Sequence, residues 1–186
     1  MRLFCCQAQS SAIVPSTIPS YSIVADSAEA TGLKWAAPAG GGKVLQVVST
    51  TITTEKQITS TSYTDTNLTL SITPSSATSK ILVLVAQQHY ITNLAASQGA
   101  EGQLVRDSTP VFVMAGANDW EMTFMEVMSA GRVQRASYIN FNYLDSPATT
   151  SSVTYKTQAK LQAASGSIYF QTSSSPSQIT LLEIGA

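Results

Sequence analysis

The chain has 186 residues, of which 44% are hydrophobic and only 11% charged, and its formal net charge is −1. That length suits one main domain with room for an appended arm. Lys and Arg are scattered, which leaves no electrostatic footprint for nucleic acid, and no apolar run approaches the ~18 residues that a membrane-spanning helix needs.

Ser and Thr make up about a quarter of the chain and take over the wetting of the surface that charges usually provide. Thr also favours strands, because its branched Cβ fits a pleated surface. A charge-poor Ser/Thr surface suits secreted or assembled β-modules that repeat side by side without like-charge repulsion.

In chain order, Met1-Arg2-Leu3-Phe4-Cys5-Cys6 places a charge before an apolar stub that is too short for a signal peptide. The vicinal Cys5 and Cys6 are geometrically poor partners for each other. A free pair, intermolecular bridges, lipidation and an accident of a loose end all remain open. Residues 1–32 carry Pro15, Pro19 and the short apolar pairs Ile13-Val14 and Ile23-Val24, without a pattern that closes a core. They read as an extended arm with one or two short strands, and the arm as a whole is taken as 1–38. Gly40-Gly41-Gly42 follows Ala39, and 39–42 reads as a flexible joint. Trp35 beside it reads as an anchor against the domain or a neighbouring chain.

From residue 43 to 186 strand signals recur. Val44 to Thr53 is rich in β-formers. Leu68, Leu70 and Ile72 alternate with Thr69, Ser71 and Thr73, the pattern of a half-buried strand. Pro74-Ser75-Ser76 turns the chain, and Ile81 to Ala86 is continuously apolar, which predicts a strand over 80–88 buried on both faces. Gly102 to Arg106 and Val111 to Met114 read as a pair around Asp107-Ser108-Thr109-Pro110. Asp119 to Met128 reads as a helical turn or long loop. Its Trp120, Met122 and Met125 make a core plug or an intersubunit face rather than a ligand pocket. Arg132 to Leu144 is a long aromatic strand that Asp145-Ser146-Pro147 ends. Val153, Tyr155, Thr157, Ala159 and Leu161 alternate through the next, and Ser167 to Gln171 and Gln178 to Ile184 complete the set. Eight to ten strands at this spacing predict an all-β, antiparallel β-sandwich of jelly-roll-like form with an extended N-terminal arm.

The chemistry of an enzyme is thin. His89 is the one histidine, and neither a nucleophile elbow nor a phosphate-cradling glycine loop accompanies it. It reads as a strand-end residue that is buried and hydrogen-bonded, or at a subunit contact. Asp119 and Glu121 are close in sequence, which does not make a glycosidase pair; they are expected to face solvent or bind a cation weakly. Glu183 on the terminal strand is expected to pair with Arg106, Arg132 or Arg135, or to lie on an exposed edge. Asn67-Leu68-Thr69 matches the N-glycosylation pattern within a strand, a weak signal. No residue is assigned to catalysis, cofactor or metal. The interface candidates are Ile13, Val14, Ile23, Val24, Trp35, Trp120, Met122 and Met125.

Several stretches resemble a known module. Ala25-Asp26-Ser27 with Thr31-Gly32-Leu33-Lys34-Trp35-Ala36 is similar to a segment that closes β-repeats in tail-fibre-like proteins of marine and freshwater phages. Gly42-Lys43-Val44-Leu45-Gln46-Val47-Val48 looks like the opening of the module that often follows it. Ser71-Ile72-Thr73-Pro74-Ser75-Ser76, with Ser79-Lys80-Ile81-Leu82-Val83, resembles its hairpin. Tyr143-Leu144-Asp145-Ser146-Pro147-Ala148-Thr149-Thr150 with Tyr155 resembles a later stretch, and Ile179 to Ile184 its terminal strand. These segments cover most of 25–186 in order. The resemblance, to a bacteriophage tail-fibre or virion-decoration β-sandwich module, implies a non-enzymatic virion protein. It implies frequent trimers, other virion proteins as partners and host-surface polysaccharide as a further partner. The short arm favours a short fibre, a decoration protein or a filament subunit. Two other classes stand beside this one. The first is an extracellular filament built by strand donation from the arm, and the second a lectin or carbohydrate-active domain.

Overall fold

The computed structural model describes residues 22–25, 27–28, 30–36, 42–92, 99–114, 134–164 and 166–185. They fall into two units that divide between Gly41 and Gly42.

In the first unit, β1 (Ser22–Ala25) and β2 (Leu33–Ala36) form an antiparallel hairpin. Gly32, at φ +70, supplies the left-handed residue just before β2. Thr31 Oγ1 donates to the Leu33 carbonyl at 3.0 Å.

The second unit carries β3 (Val44–Ile52), β4 (Lys56–Ile58), β5 (Thr64–Ile72), β6 (Lys80–Thr92), β7 (Ala100–Arg106), β8 (Thr109–Val113), β9 (Gln134–Asp145), β10 (Val153–Leu161), β11 (Ser167–Phe170) and β12 (Ser177–Ile184). The chain behaves as one long hairpin wrapped on itself. The outermost pair sets β3 against β12 and β4 against β11. Inside it come β5 against β10, β6 against β9, and β7 against β8. Successive pairs fall alternately into two sheets. One has the order β5-β10-β7-β8; in the other, β6 is flanked by β9 on one side and by β12 and β11 on the other, with β3 and β4 beyond them. All pairings are antiparallel. This is a jelly roll, as the strand spacing predicts.

The core is filled by alternate residues of each strand. On β10 the phase Val153, Tyr155, Thr157, Ala159, Leu161 is buried throughout. Each fully buried aliphatic of this kind contributes about 1.5–3 kcal/mol. Leu68 and Tyr155 sit in a larger cluster with Val83, Leu104 and Leu181, and Phe112 stacks on Phe141 and Tyr143 at its margin. Ile58, Ile91, Leu161 and Phe170 form a smaller cluster.

A polar belt lies between the two clusters. On β6, Gln87 comes between Val85 and Ile91; on β10, Thr157 comes between Tyr155 and Ala159. Gln87 Nε2 donates to Thr66 Oγ1 at 2.8 Å, and the Thr66 and Thr157 hydroxyls share a 2.6 Å bond. Gln171, fully buried, accepts from Ser177 Oγ and Gln87 Nε2 and donates to the Thr54 and Phe170 carbonyls. The belt joins the two sheets with its polar atoms satisfied, which is what burial demands.

Several sequence expectations are refined. β6 is not buried on both faces: Ile81, Val83 and Val85 point inward, whereas Leu84 is 40% exposed on the outer face. His89 lies within β6 rather than at its end, and is buried. Thr109 and Pro110 belong to β8, so the turn is the pair Asp107-Ser108. Asp107 takes φ +54, and its amide donates to the Thr154 carbonyl at 2.7 Å. β4 has only three residues and no sequence signal announces it. Gly42 belongs to the sandwich: a Cβ there would meet Ile184 Cγ2 at 2.6 Å.

Candidate functional site

The segments singled out by the sequence converge on two buried polar locks. Glu183 lies on β12, which is flanked on both sides, and is 1% exposed. It is neither at an edge nor paired with Arg106, contrary to the sequence expectation. Arg132 lies outside the described residues, and Arg135 of β9 is registered opposite Ile91. Instead the amide and hydroxyl of Ser75 both donate to Glu183 Oε1, at 2.7 and 2.6 Å. Burial alone would raise this carboxyl. The hydroxyl and amide of Ser75 outweigh it and hold Glu183 below the usual carboxylate range. The serine-rich turn after Pro74 is thus a cradle for a carboxylate carried more than a hundred residues away.

The second lock joins Arg106, Asp145 and Tyr155. Arg106 Nη1 donates to Asp145 Oδ2 at 2.6 Å, and the Tyr155 hydroxyl donates to the same oxygen at 2.7 Å. Tyr155 has no exposed surface, and burial and then the bond to Asp145 push its hydroxyl far up, so it stays a donor. The Arg106 guanidinium loses some stabilisation to burial, but Asp145 more than restores it and raises its pKa. The phenol and the guanidinium thus meet on one oxygen of Asp145 and tie β7, β9 and β10 together.

Three further carboxylates are also engaged. Glu101 accepts from Lys160 Nζ at 2.8 Å and from the Tyr63 hydroxyl at 3.1 Å. Asp107 Oδ1 accepts from the Thr154 amide. Asp65 takes Lys156 Nζ at 3.0 Å and Gln158 Nε2 at 2.7 Å. Burial opposes ionisation of Asp65, but these two donors prevail and lower its pKa. Among the described residues no group of His, Cys, Asp and Glu could hold a metal ion, and no helix is long and apolar enough to cross a membrane. Asp119 and Glu121 lie outside the described residues.

The surface offers two contrasting faces. The outer face of the β5-β10-β7-β8 sheet holds an open depression of about 540 Å³ lined by Asp65, Asn67, Leu68, Thr69, Asp107, Thr154 and Lys156. Asn67, at φ +70, sits where the β5–β10 register slips, a bulge that asparagine tolerates. Leu68 apart, this lining is polar; it lacks an aromatic platform, and its two aspartates are already occupied. The outer face of the other sheet is apolar at one end. Val47, Leu182, Leu82 and Leu144 are directly opposite one another across β3, β12, β6 and β9. Val47 is 56% and Leu144 50% exposed.

Of the interface candidates, Ile23 faces Trp35 and Val24 faces Lys34 in the β1–β2 register. Ile23 is exposed, as is Leu33. Ile13, Val14, Trp120, Met122 and Met125 lie outside the described residues. The apolar cross-strand row was missed by sequence reasoning; the unbroken Ile81–Ala86 run was its signal.

No family profile and no curated protein matches the chain. Solved structures show distant likeness. The VP2 subviral particle of infectious bursal disease virus matches at 12% identity and a TM-score of 0.37, over 92% of this chain and 47% of that one. The Gt strain of the same virus matches at 14% and 0.35, over 90% and 43%. Dimeric latent PorU from Porphyromonas gingivalis matches at 12% and 0.34, over 79% and 14%. The chain therefore spans less than half the length of each of these structures.

Proposed function

We propose that this chain is a non-enzymatic structural protein of a bacteriophage virion, a short fibre or a tail or capsid decoration. It works by associating with itself, as a homotrimer or a higher assembly, and with other virion proteins. The observation that supports this reading is what the recurring segments do. Ser75 and Glu183 close one buried lock, and Asp145 and Tyr155 close another. Residues that carry the resemblance therefore hold a scaffold together instead of lining a reactive cleft. The exposed Ile23 and Leu33 of the β1–β2 hairpin fit an attachment element, because an isolated two-stranded hairpin is marginal in water. The test is sedimentation of the purified full chain, alone and with purified phage particles. Self-association or co-sedimentation is expected; a compact monomer that binds neither itself nor particles would overturn the reading.

One observation favours the filament reading as second. β3 is nine residues long, has neither proline nor charge, and pairs only β12 among the described residues. The edges of the other sheet are blunted, by Asp65 and the Asn67 bulge on β5 and by Pro110 on the short β8. An arm strand from another subunit would add to β3. Deleting residues 1–32 would then abolish polymers while the sandwich stays folded; persistent polymers would rule it out.

A further inference from the structure

We infer that the outer face of the β3-β12-β6-β9 sheet is a contact surface for the same face of a second copy of this chain. The inference rests on the reading of the chain as self-assembling, and adds a two-fold contact to it.

The two outer faces of the sandwich differ in kind. The outward phase of β10 reads Thr154, Lys156, Gln158, Lys160, and its lysines are paired with Asp65 and Glu101. That is a solvent face. The outward phase of β6 begins Lys80, Leu82, Leu84, Ala86. β6 is apolar in both phases, the pattern of a strand covered on both sides, yet Leu84 is 40% exposed in the single chain.

Register turns these residues into a patch. The row Val47, Leu182, Leu82, Leu144 crosses all four strands. The next row is Ser49, Thr180, Leu84, Asn142, and the one beyond is Thr51, Gln178, Ala86, Asn140. An aliphatic centre with an uncharged polar margin is the composition of an interface core. Among the described residues of this face Lys80 is the one charge, and it stands at the margin. A charged partner would find nothing to pair with, whereas a second copy meets no like-charge repulsion.

The area is that of a small contact. Four strands about 4.8 Å apart make a face roughly 19 Å wide, and the seven residues from Lys80 to Ala86 run about 23 Å. That is about 440 Å² in projection. Beyond Ala86 the outward Gln88 and Thr92 of β6 are already buried within the chain. Two copies would bury about 900 Å², the size of a weak, reversible contact. Because both copies use the same face, the contact closes on itself.

The test compares the full chain with the double variant Val47→Lys, Leu144→Lys by sedimentation equilibrium from about 1 to 100 µM. Both side chains are at least half exposed, so circular dichroism and Tm should not change. The expected result is association of the wild type and at least a hundredfold weaker association of the variant, with Thr69→Lys on the opposite sheet as an unaffected control. If the wild type associates and the double variant does so equally, the face is not the contact. If Ile23→Asp, Leu33→Asp then abolishes that association, the hairpin carries assembly and the structural role stands without this interface. A wild type that is monomeric at 100 µM overturns both.

Discussion

Replacing Glu183 tests whether the serine cradle stabilises the sandwich. Glu183→Gln keeps the shape and one acceptor oxygen for Ser75 but removes the charge. Two hydrogen bonds to an ionised acceptor, at 2.7 and 2.6 Å, become neutral ones. Bonds to charged groups are worth about 1.5–3 kcal/mol and neutral ones about 0.5–1.5. The variant regains the cost of burying a charge, so the net loss at pH 7 is about 1–2 kcal/mol. Glu183→Ala removes the acceptor as well and opens a void beside β6, costing about 2–4 kcal/mol. For a unit of this size that corresponds to a fall in Tm of about 3–8 °C for Gln. The pH dependence is the sharper signature. The folded carboxyl lies below its unfolded value of about 4.3, so its stabilisation is complete above that pH. It is lost as pH falls through the folded value. Urea titrations between pH 2.5 and 7 should show the wild type losing its advantage over Glu183→Gln below about pH 4. If Gln matches the wild type at pH 7 and the two acid profiles run parallel, the cradle contributes nothing.

Three further outcomes follow from the geometry. Tyr155→Phe removes the 2.7 Å bond to Asp145 and leaves Arg106 in place, so it should cost about 1–2 kcal/mol in denaturant melts; an unchanged midpoint would discount the lock. Gly42→Ala should cost about 1–3 kcal/mol because its Cβ meets Ile184 Cγ2, and Ile184→Ala should remove most of that penalty in a double-mutant cycle; additive effects would deny the contact. Thr157→Val deletes one hydroxyl of the belt, while Gln87 still serves Thr66, so a loss of about 1 kcal/mol in thermal melts is expected; a loss above about 3 would show that the belt depends on Thr157 far more than its one bond implies.

Strand phase was legible where one face meets solvent and the other the core. β10 shows this best, since every apolar or Thr position read as inward is buried. The turn at Asp107-Ser108 was visible only in part, since Thr109 and Pro110, read with it, open β8 instead. Partners distant in the chain were not. Glu183 invited a search for a cation, and its partner is the backbone and hydroxyl of a turn 108 residues away. Arg106 was named for Glu183 and binds Asp145 instead. The β6 run was apolar in both phases, and the sequence does not distinguish burial within one chain from exposure on a second face. The jelly-roll order itself follows from which strands meet across the sheets, information that alternation along a single strand does not carry.

The wrapped-hairpin topology has a consequence for synthesis. Ser49 Oγ bonds the Ile179 carbonyl, 130 residues further along the chain. At about 5–20 residues per second, β3 waits roughly 7–26 s on the ribosome before its partner exists. Folding dominated by such distant pairings is also slow after release. A strand with Val44, Leu45 and Val47 on show therefore spends the longest time of any in water, beside other nascent copies with the same strand bare. The strand that opens the sandwich is thus the one whose pairing must wait for the chain's last strand.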